Sequence, residues 1–390
     1  MKRTTLLLLL ATVLFSFGYT KGVTGDGISK IYLIGSTLIR TTPGTDIRLY
    51  DIANPAAIGP LGTIAIEGNS DVAATGDIMY ADRGPDLVVF DISNPSAPQM
   101  IDSVRKVFEY MSYYAVGEPW EGGGDWVDDG RSNGSVIGGM SGCGGCQEND
   151  PTAPSDARGG MAVDAAMSSE SSGDAGQAGS LARFMIVGDY LYCIDMHMIK
   201  VFDISEPTRP RYLNMVDINW GIETIFHDGE HLFIGGQQGM YIYSIEDPVE
   251  PEYVSEFTHV NSCDPVVVDG DRAYVTLRGG SACNGYSNQL DILDISNITS
   301  PTLLRSVPMD GPYGLAARDG MVMVCDGQSG MKTMNTADLN AISKCGGLDG
   351  ITAYDVIWYG DLLIVTAEDG FWLYNASDPC APTKYGRLDF

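Results

Sequence analysis

Acidic side chains that could bind a cation or transfer a proton recur at corresponding places along the chain. Four of them, Asp71, Glu223, Asp264 and Asp355, lie at or just before the start of an apolar run. Ca²⁺ prefers oxygen ligands such as carboxylates, and it tolerates irregular coordination geometry. Carboxyl groups can also serve as general acid and base in a hydrolase or a lyase. Either chemistry requires the fold to bring these side chains together around one point.

A second set of polar side chains follows the next apolar run of several units, and His197 is the only histidine in it. The remaining histidines, His227, His231 and His259, are scattered, and the sequence has no Ser-centred elbow, phosphate loop or zinc motif. The second set consists of Asp82, Arg83, Asp195, His197, Arg278, Asp326 and Glu368. From both sets we take as candidate ligand-binding residues Asp71, Glu223, Asp264, Asp355, Arg83, Arg278 and Asp326.

The composition excludes some classes of protein. The chain has 51 acidic and 23 basic residues, for a formal net charge of -28. Binding of nucleic acid depends on clustered Lys and Arg, so this charge argues against it. Four histidines argue against a His-rich metal enzyme.

The elements that position the candidate residues belong to a repeat. One phrase, an apolar strand that ends in a small polar residue, occurs seven times. The copies are IRLYDIANP, LVVFDISNP, IKVFDISEP, MYIYSIEDP, LDILDISNI, MKTMNTADL and FWLYNASDP. The period is about forty residues, which is the length of a four-stranded propeller blade. A long insertion separates the second copy from the third, and a shorter one separates the fourth from the fifth.

Gly-Asp and Asp-Gly pairs divide each unit into strands, because these residues suit tight hairpin turns. The sequence therefore predicts an all-β fold, a seven-bladed β-propeller of four-stranded antiparallel blades, with a β-solenoid or open array as the alternative. Each blade is contiguous in sequence, so closure of the ring would depend on packing between blades one and seven. We expect a monomer.

The phrases LVVFDIS, IKVFDIS and LDILDIS resemble the LVIVD repeat, which names a family of extracytoplasmic bacterial and archaeal β-propellers. The resemblance covers nearly all of the chain between residues 27 and 390, apart from the long insertion. Asn335 and Asn375 stand where this repeat has Asp. The resemblance implies a surface or secreted propeller and carries no catalytic residues with it.

Two segments stand outside the repeat. Residues 1–18 have a basic start, Lys2 and Arg3, and an apolar run too short to span a bilayer, which predicts a secretory signal peptide and a secreted, periplasmic or cell-surface protein. An uncleaved anchor is the alternative. Residues 105–181 form the insertion between blades two and three. Its Gly, Ser, Asp and Ala content predicts disorder for most of its length.

The eight cysteines suggest disulfides more than catalysis. We expect a bridge between Cys263 and Cys283, because both should lie in loops on one face of blade five. Cys193 and Cys325 are predicted to be buried thiols. The remaining assignments, which stay open, are a local bridge at Cys143 and Cys146 and a pairing of Cys345 with Cys380.

Two functions fit these observations. The first is a non-catalytic binding or scaffold module for a protein or glycan of the cell envelope, without a cofactor. The second is an extracytoplasmic hydrolase or lyase that uses the axial carboxylates, with Ca²⁺ as a candidate cofactor. Carboxylates that meet at one point would favour the enzyme, whereas carboxylates engaged elsewhere would favour the binding module.

Overall fold

The computed structural model describes residues 28–108, 175–258, 265–279 and 287–390, which form seven antiparallel sheets around one axis. The seven-bladed propeller predicted from the repeat is confirmed. In each blade the first strand lies at the axis and the fourth at the rim. Residues 105–108 and 175–181, the two ends of the insertion predicted to be largely disordered, belong to the described part of the chain, whereas residues 109–174 lie outside it.

The strands follow the repeat closely. Blades one to three contain β1 (Ile31–Ile34), β2 (Thr37–Thr42), β3 (Asp46–Asp51), β4 (Gly59–Ala65), β5 (Val72–Thr75), β6 (Ile78–Arg83), β7 (Asp86–Asp91), β8 (Gln99–Val104), then β9 (Gln177–Ala178), β10 (Phe184–Val187), β11 (Tyr190–Asp195), β12 (Met198–Asp203) and β13 (Arg211–Asp217). Blades four and five contain β14 (Ile222–His227), β15 (His231–Gly236), β16 (Gly239–Ser244), β17 (Glu252–Thr258), β18 (Val266–Asp269), β19 (Arg272–Leu277), β20 (Gln289–Asp294) and β21 (Thr302–Pro308). Blades six and seven contain β22 (Leu315–Arg318), β23 (Met321–Cys325), β24 (Met331–Asn335), β25 (Ser343–Leu348), β26 (Ala353–Tyr359), β27 (Leu362–Ala367), β28 (Gly370–Asn375) and β29 (Thr383–Asp389).

Burial explains why the repeated phrase is so apolar. Strand β7 is buried at four successive positions, Leu87 to Phe90, because neighbouring blades cover both of its faces. Strands covered on both faces carry continuous apolar runs. The outermost strands are more exposed, and each has a β-bulge at the same place against the third strand. A bulge increases twist, which helps to protect an exposed sheet edge.

The small polar residue that ends the phrase caps the turn that follows. Asp91 Oδ1 accepts a hydrogen bond of 2.9 Å from Ser93 N. Asn375 Oδ1 accepts one of 2.9 Å from Ser377 N, and Asn335 caps its turn in the same way. Asn therefore replaces Asp at these two positions without a change in turn geometry, because both side chains offer the same acceptor oxygen.

Blades one and seven close the ring by packing. Ile31, Leu33 and other side chains of blade one form one buried cluster with side chains of blade seven. The rings of Tyr50 and Phe371 meet edge to face across this junction, with centroids 5.4 Å apart. Among the strands that the structure describes, none is exchanged between the first and the last blade. The four predicted strands of each blade are contiguous in sequence, and the sheet of blade one gains β9, a two-residue strand from the insertion.

Candidate functional site

The two faces of the propeller differ in the loops they carry. We call one side of the propeller the upper face. The first strand of each blade begins there, and the loop between the second and third strands lies there. The opposite side is the lower face. The six candidate residues that the structure describes belong to the upper face, because they lie at the starts of first strands or at the ends of second strands and the loops that follow.

The central channel holds residues 175–182, which we call the channel segment. Ala175 forms an antiparallel bridge with Thr75 at the lower end of β5. Gln177 and Ala178 then form β9, which pairs with β1 and gives blade one a fifth, innermost strand. The segment ends on the upper face, where the chain turns into β10. The sequence did not predict this element.

The other described end of the insertion lies on the upper face. The amide of Phe108 donates a hydrogen bond of 3.0 Å to Pro85 O, in the loop between β6 and β7. Its buried ring stacks on that of Phe184 at a centroid distance of 5.7 Å. Because Ala175 lies at the lower end of the channel, the insertion leaves the propeller on one face and returns on the other.

Asp71 holds the chain where it leaves the channel. Its Oδ2 accepts hydrogen bonds from the backbone amides of Arg183 and Phe184, and Oδ1 accepts one of 2.8 Å from Val72 N. Lys30 Nζ lies 3.5 Å from Oδ2. The carboxylate is 2% exposed, so its oxygens face these donors and not the solvent.

Asp82 supports Asp71 from the neighbouring strand. Its carboxylate accepts hydrogen bonds from the amides of Ser70 and Asp71, at 2.8 and 2.9 Å, from the Ser70 hydroxyl and from the Asn69 side chain. The residue is fully buried, and this burial raises the pKa of Asp82 despite the donors around it. Asp82 thus fixes the loop that positions Asp71.

Asp355 faces the channel segment from blade seven. Its Oδ1 accepts hydrogen bonds of 2.9 Å from Val356 N and 3.2 Å from the Ser180 hydroxyl. Gly179 lies so close that a Cβ there would be 2.1 Å from Oδ2. Burial raises the pKa of Asp355 to about 7. Lys30, which also faces Asp71, opposes that rise.

Asp326 is fully engaged within blade six. Its carboxylate forms an ion pair with Lys332 and accepts hydrogen bonds of 3.0 and 2.7 Å from the amides of Asp310 and Gly311. It is 1% exposed. Asp326 therefore anchors the loop that leads into the first strand of its blade.

The remaining candidates are spread around the upper face. Glu223 accepts a hydrogen bond of 3.1 Å from Gln237 Nε2. Arg83 lies 3.6 Å from Asp86, with 42% of its side chain exposed. The Arg278 guanidinium lies 4.0 Å from the centre of the Tyr313 ring. Asp264 and the predicted Cys263 to Cys283 bridge lie outside the described residues.

The candidates that the structure describes thus serve different local roles. Asp355 bonds to Ser180 in the channel segment, and Asp71 bonds to the backbone at Arg183, just after that segment. Within the described ranges, no three His, Cys, Asp or Glu side chains are grouped closely enough to hold a metal ion. Asp71 and Asp326 also present their oxygens to protein donors, so they do not fit the role of free calcium ligands.

A cavity of about 250 Å³ opens on the upper face at the junction of blades seven and one. The Arg40 guanidinium lies 3.5 Å from the centre of the Phe390 ring and its Nε donates a hydrogen bond of 3.0 Å to Ser29 Oγ. Tyr354 and Thr366 line the blade-seven side. Burial lowers the pKa of Arg40, although a guanidinium stays charged at neutral pH.

Sequence reasoning missed the channel segment and the cavity. Small residues at Gly176 and Gly179 were interpreted as a sign of disorder, but here they let the backbone fit a narrow channel. A Cβ at Gly176 would lie 2.4 Å from Leu33 O. The sequence did carry one sign of the cavity. The fifth residue of the second strand is Thr in blades one, five and seven, and the Thr of blade seven, Thr366, lines the cavity.

The cysteines follow the predictions where they are described. Cys345 and Cys380 form a disulfide between blades six and seven. Cys193 and Cys325 are free and fully buried, and burial raises the pKa of both thiols. Cys143 and Cys146 lie outside the described residues.

Comparison with known proteins identifies the repeat. The model of the LVIVD repeat matches residues 68–106, 175–218 and 263–308, in blades two, three and five. No curated protein matches the chain. Within the described residues, no helix has the length and apolarity needed to cross a bilayer.

Solved structures share the fold at low sequence identity. A functionally unknown protein from Desulfotomaculum acetoxidans is 13% identical, with a TM-score of 0.55 over 92% of this chain and 95% of its own. The computationally designed Ika8 protein is 11% identical, with a TM-score of 0.51 over 90% of this chain and 85% of its own. A Lactobacillus plantarum protein is 12% identical, with a TM-score of 0.50 over 79% and 80%. These likenesses concern the fold alone. The LVIVD repeat thus occurs at three places in this chain, and the seven-bladed propeller fits this repeat family.

Proposed function

We propose that the chain acts outside the cytoplasm as a non-catalytic binding module, which recognises a protein or glycan of the cell envelope through its upper face. One observation carries this proposal: axial carboxylates are used to hold the channel segment and the residues just after it, while the rest of the upper face keeps exposed charged groups and a cavity. Asp71 is 2% exposed and bonded to backbone amides, whereas Arg83 is 42% exposed on the same face.

The location rests on two supports. An LVIVD propeller fits an extracellular protein. The disulfide between Cys345 and Cys380 is of a kind that persists in oxidising compartments and is rare in the cytosol. Residues 1–18, which lie outside the described residues, complete this proposal as a secretory signal peptide.

The binding residues that we propose belong to the upper face. Arg83, Glu223 and Arg278 provide charged groups at three blades, and Asp264 would add a fourth at blade five. A rigid disc that carries charged loops suits recognition of a polar partner, since charged rim residues steer association and set specificity. Asp71, Asp326 and Asp355 then act indirectly, because they fix the loops on which this face is built.

A second candidate function, an axial hydrolase or lyase, is favoured by one observation. Asp355, with its pKa raised to about 7, has the property expected of a general acid or base. Its carboxyl group is covered by Gly179 and Ser180, so a substrate would have to displace the channel segment. We therefore prefer the binding module.

The test is affinity capture from an envelope extract with the full chain, followed by binding measurements on the purified captured component. The binding module predicts that capture is the same with and without a chelator and survives in Asp355→Asn. A captured component that is released by the chelator, or is chemically altered by the wild type and not by Asp355→Asn, would favour the enzyme.

A further inference from the structure

We infer that the cavity between blades seven and one is a binding site for a small hydroxycarboxylate, held by Arg40 and Thr366. This inference rests on the proposed function, since it names the chemical group that the upper face would recognise. The charge of Arg40, the hydroxyl of Thr366 and the size of the cavity support it.

Arg40 is a buried cation without a carboxylate partner among the described residues. It is 9% exposed, its Nε bonds Ser29, and its plane rests on Phe390. Tyr50 and Asp46 lie near enough to favour the charged form, but Asp46 is paired with Arg48 at 3.0 Å. A buried charge is costly unless it is paired, and a carboxylate matches the guanidinium geometry in a bidentate pair.

Thr366 contributes an unsatisfied hydroxyl. The residue is 1% exposed, lines the cavity, and its Oγ1 has no hydrogen-bond partner in the described part of the chain. At the equivalent place in blade five, Thr276 Oγ1 donates a hydrogen bond of 2.6 Å to Tyr313 O of the next blade. In blade one, Thr41 Oγ1 accepts one of 3.0 Å from Lys30 N. Buried polar groups are nearly always hydrogen-bonded, so a ligand hydroxyl would complete this position.

The size of the cavity selects a small molecule. A volume of about 250 Å³ corresponds to roughly eight water molecules at their liquid volume of about 30 Å³ each. Pockets for drug-sized ligands are larger, about 300–1,000 Å³. The cavity therefore fits an organic acid or a single sugar acid, but not an oligosaccharide.

The charges around the cavity favour a carboxylate over a phosphate. Arg40 is the single basic residue of the lining, and Glu368 is an exposed acidic residue at its edge. A phosphate ester carries close to two negative charges at neutral pH, which one guanidinium beside an acidic group would not neutralise. One carboxylate matches one guanidinium.

The experiment is isothermal titration of the full chain with lactate and glucuronate, each compared with its uncharged counterpart, lactamide or glucose. Inorganic phosphate serves as the control anion. We expect at least one acid to bind about tenfold or more tightly than its counterpart and than phosphate. If no acid shows this preference, the inference is wrong.

Two variants test the site itself. Thr366→Val should weaken binding of the acid about tenfold, because it removes one hydrogen bond without a change in shape. Thr276→Val, the matched control, should lower the melting temperature and leave the affinity unchanged. Arg40→Gln should abolish measurable binding. If both Thr366→Val and Arg40→Gln bind like the wild type, the acid binds elsewhere and the assignment is overturned.

The two proposals fail separately. If an envelope component is captured and no acid binds, the binding module stands and the carboxylate site falls. If an acid binds with the expected response to Thr366→Val and nothing is captured, the carboxylate site stands and the envelope partner falls.

Discussion

The hydroxyl of Ser180 donates a hydrogen bond of 3.2 Å to Oδ1 of Asp355, a residue 175 positions further along the chain. The same hydroxyl accepts a hydrogen bond of 2.8 Å from the amide of Leu315. One side chain of the channel segment therefore joins blades six and seven at the axis. Ser180 belongs to the insertion that the sequence predicts to be largely disordered, yet its hydroxyl links two blades at the centre of the ring.

Removal of this hydroxyl should destabilise the propeller. Ser180→Ala leaves the buried amide of Leu315 without an acceptor, which costs about 1–3 kcal/mol of unfolding free energy. Chemical denaturation measures the loss. Ser205→Ala removes an exposed hydroxyl that is bonded to Asp203, and it should change the stability by less than about 0.5 kcal/mol. Equal effects of the two substitutions would show that the channel segment does not fasten the blades.

Asp355 should make the propeller less stable as the pH rises. Its pKa in the folded state is about 7, above the ordinary value of 3.8, so the folded state holds the proton more tightly than the unfolded chain does. The stabilisation is complete below about pH 4 and is lost as the pH rises towards 7, by on the order of 4 kcal/mol at most.

Asp355→Asn isolates this effect, because the amide stays neutral at every pH. The difference in unfolding free energy between the variant and the wild type should change in favour of the variant between pH 4 and pH 7. His227 has the opposite effect on stability. Burial lowers its pKa to about 4, so the folded state loses stability as the pH falls below 6.5. Because His227 is present in both proteins, its effect cancels in the difference between the variant and the wild type. A difference that is constant with pH would contradict the assignment.

Closure between the first and last blades should depend on Gly386. A Cβ at this position would lie 2.2 Å from Pro55 O, and Gly62 lies against Pro95 of the next blade in the same way, at 2.3 Å. We expect Gly386→Ala to cost about 1–3 kcal/mol through overpacking. Gly59→Ala meets nothing within 4 Å and is the control. If the two variants unfold at the same denaturant concentration, the blades do not meet as described.

The disulfide fastens blade six to blade seven. Cys345 and Cys380 are separated by 35 residues, so their bridge should contribute about 2–4 kcal/mol by restricting the unfolded chain. The double variant Cys345→Ala and Cys380→Ala should unfold at a correspondingly lower denaturant concentration. Peptide mapping without reduction should find these two cysteines linked; their recovery as separate alkylated peptides would refute the bridge.

The sequence was most informative where one blade repeats another. The repeated phrase and the Gly-Asp turns located all seven blades, and the seventh copy, FWLYNASDP, starts one residue after the observed strand β28 (Gly370–Asn375) begins. Local rules suffice here, because a strand covered on both faces and closed by a tight turn has a periodic signature.

The candidate site was predicted less well, because its side chains depend on contacts between distant residues. Asp71 and Asp355 were found from the sequence as acidic residues at the starts of apolar runs, yet no local pattern indicates that one bonds the backbone at Arg183 and the other bonds Ser180. The cavity arises from blades that are more than 300 residues apart in the chain, at Arg40 and Thr366. Such relationships appear only once the ring is closed.

The most direct test of the proposed function compares the two faces. Arg83 on the upper face and Arg209 on the lower face are exposed arginines, each near a carboxylate three residues away, at 3.6 and 4.0 Å. Arg83→Glu and Arg209→Glu change the net charge equally. We predict that the captured envelope component binds Arg209→Glu like the wild type and Arg83→Glu at least about tenfold more weakly. Equal binding by both variants, or a loss confined to Arg209→Glu, would contradict recognition through the upper face.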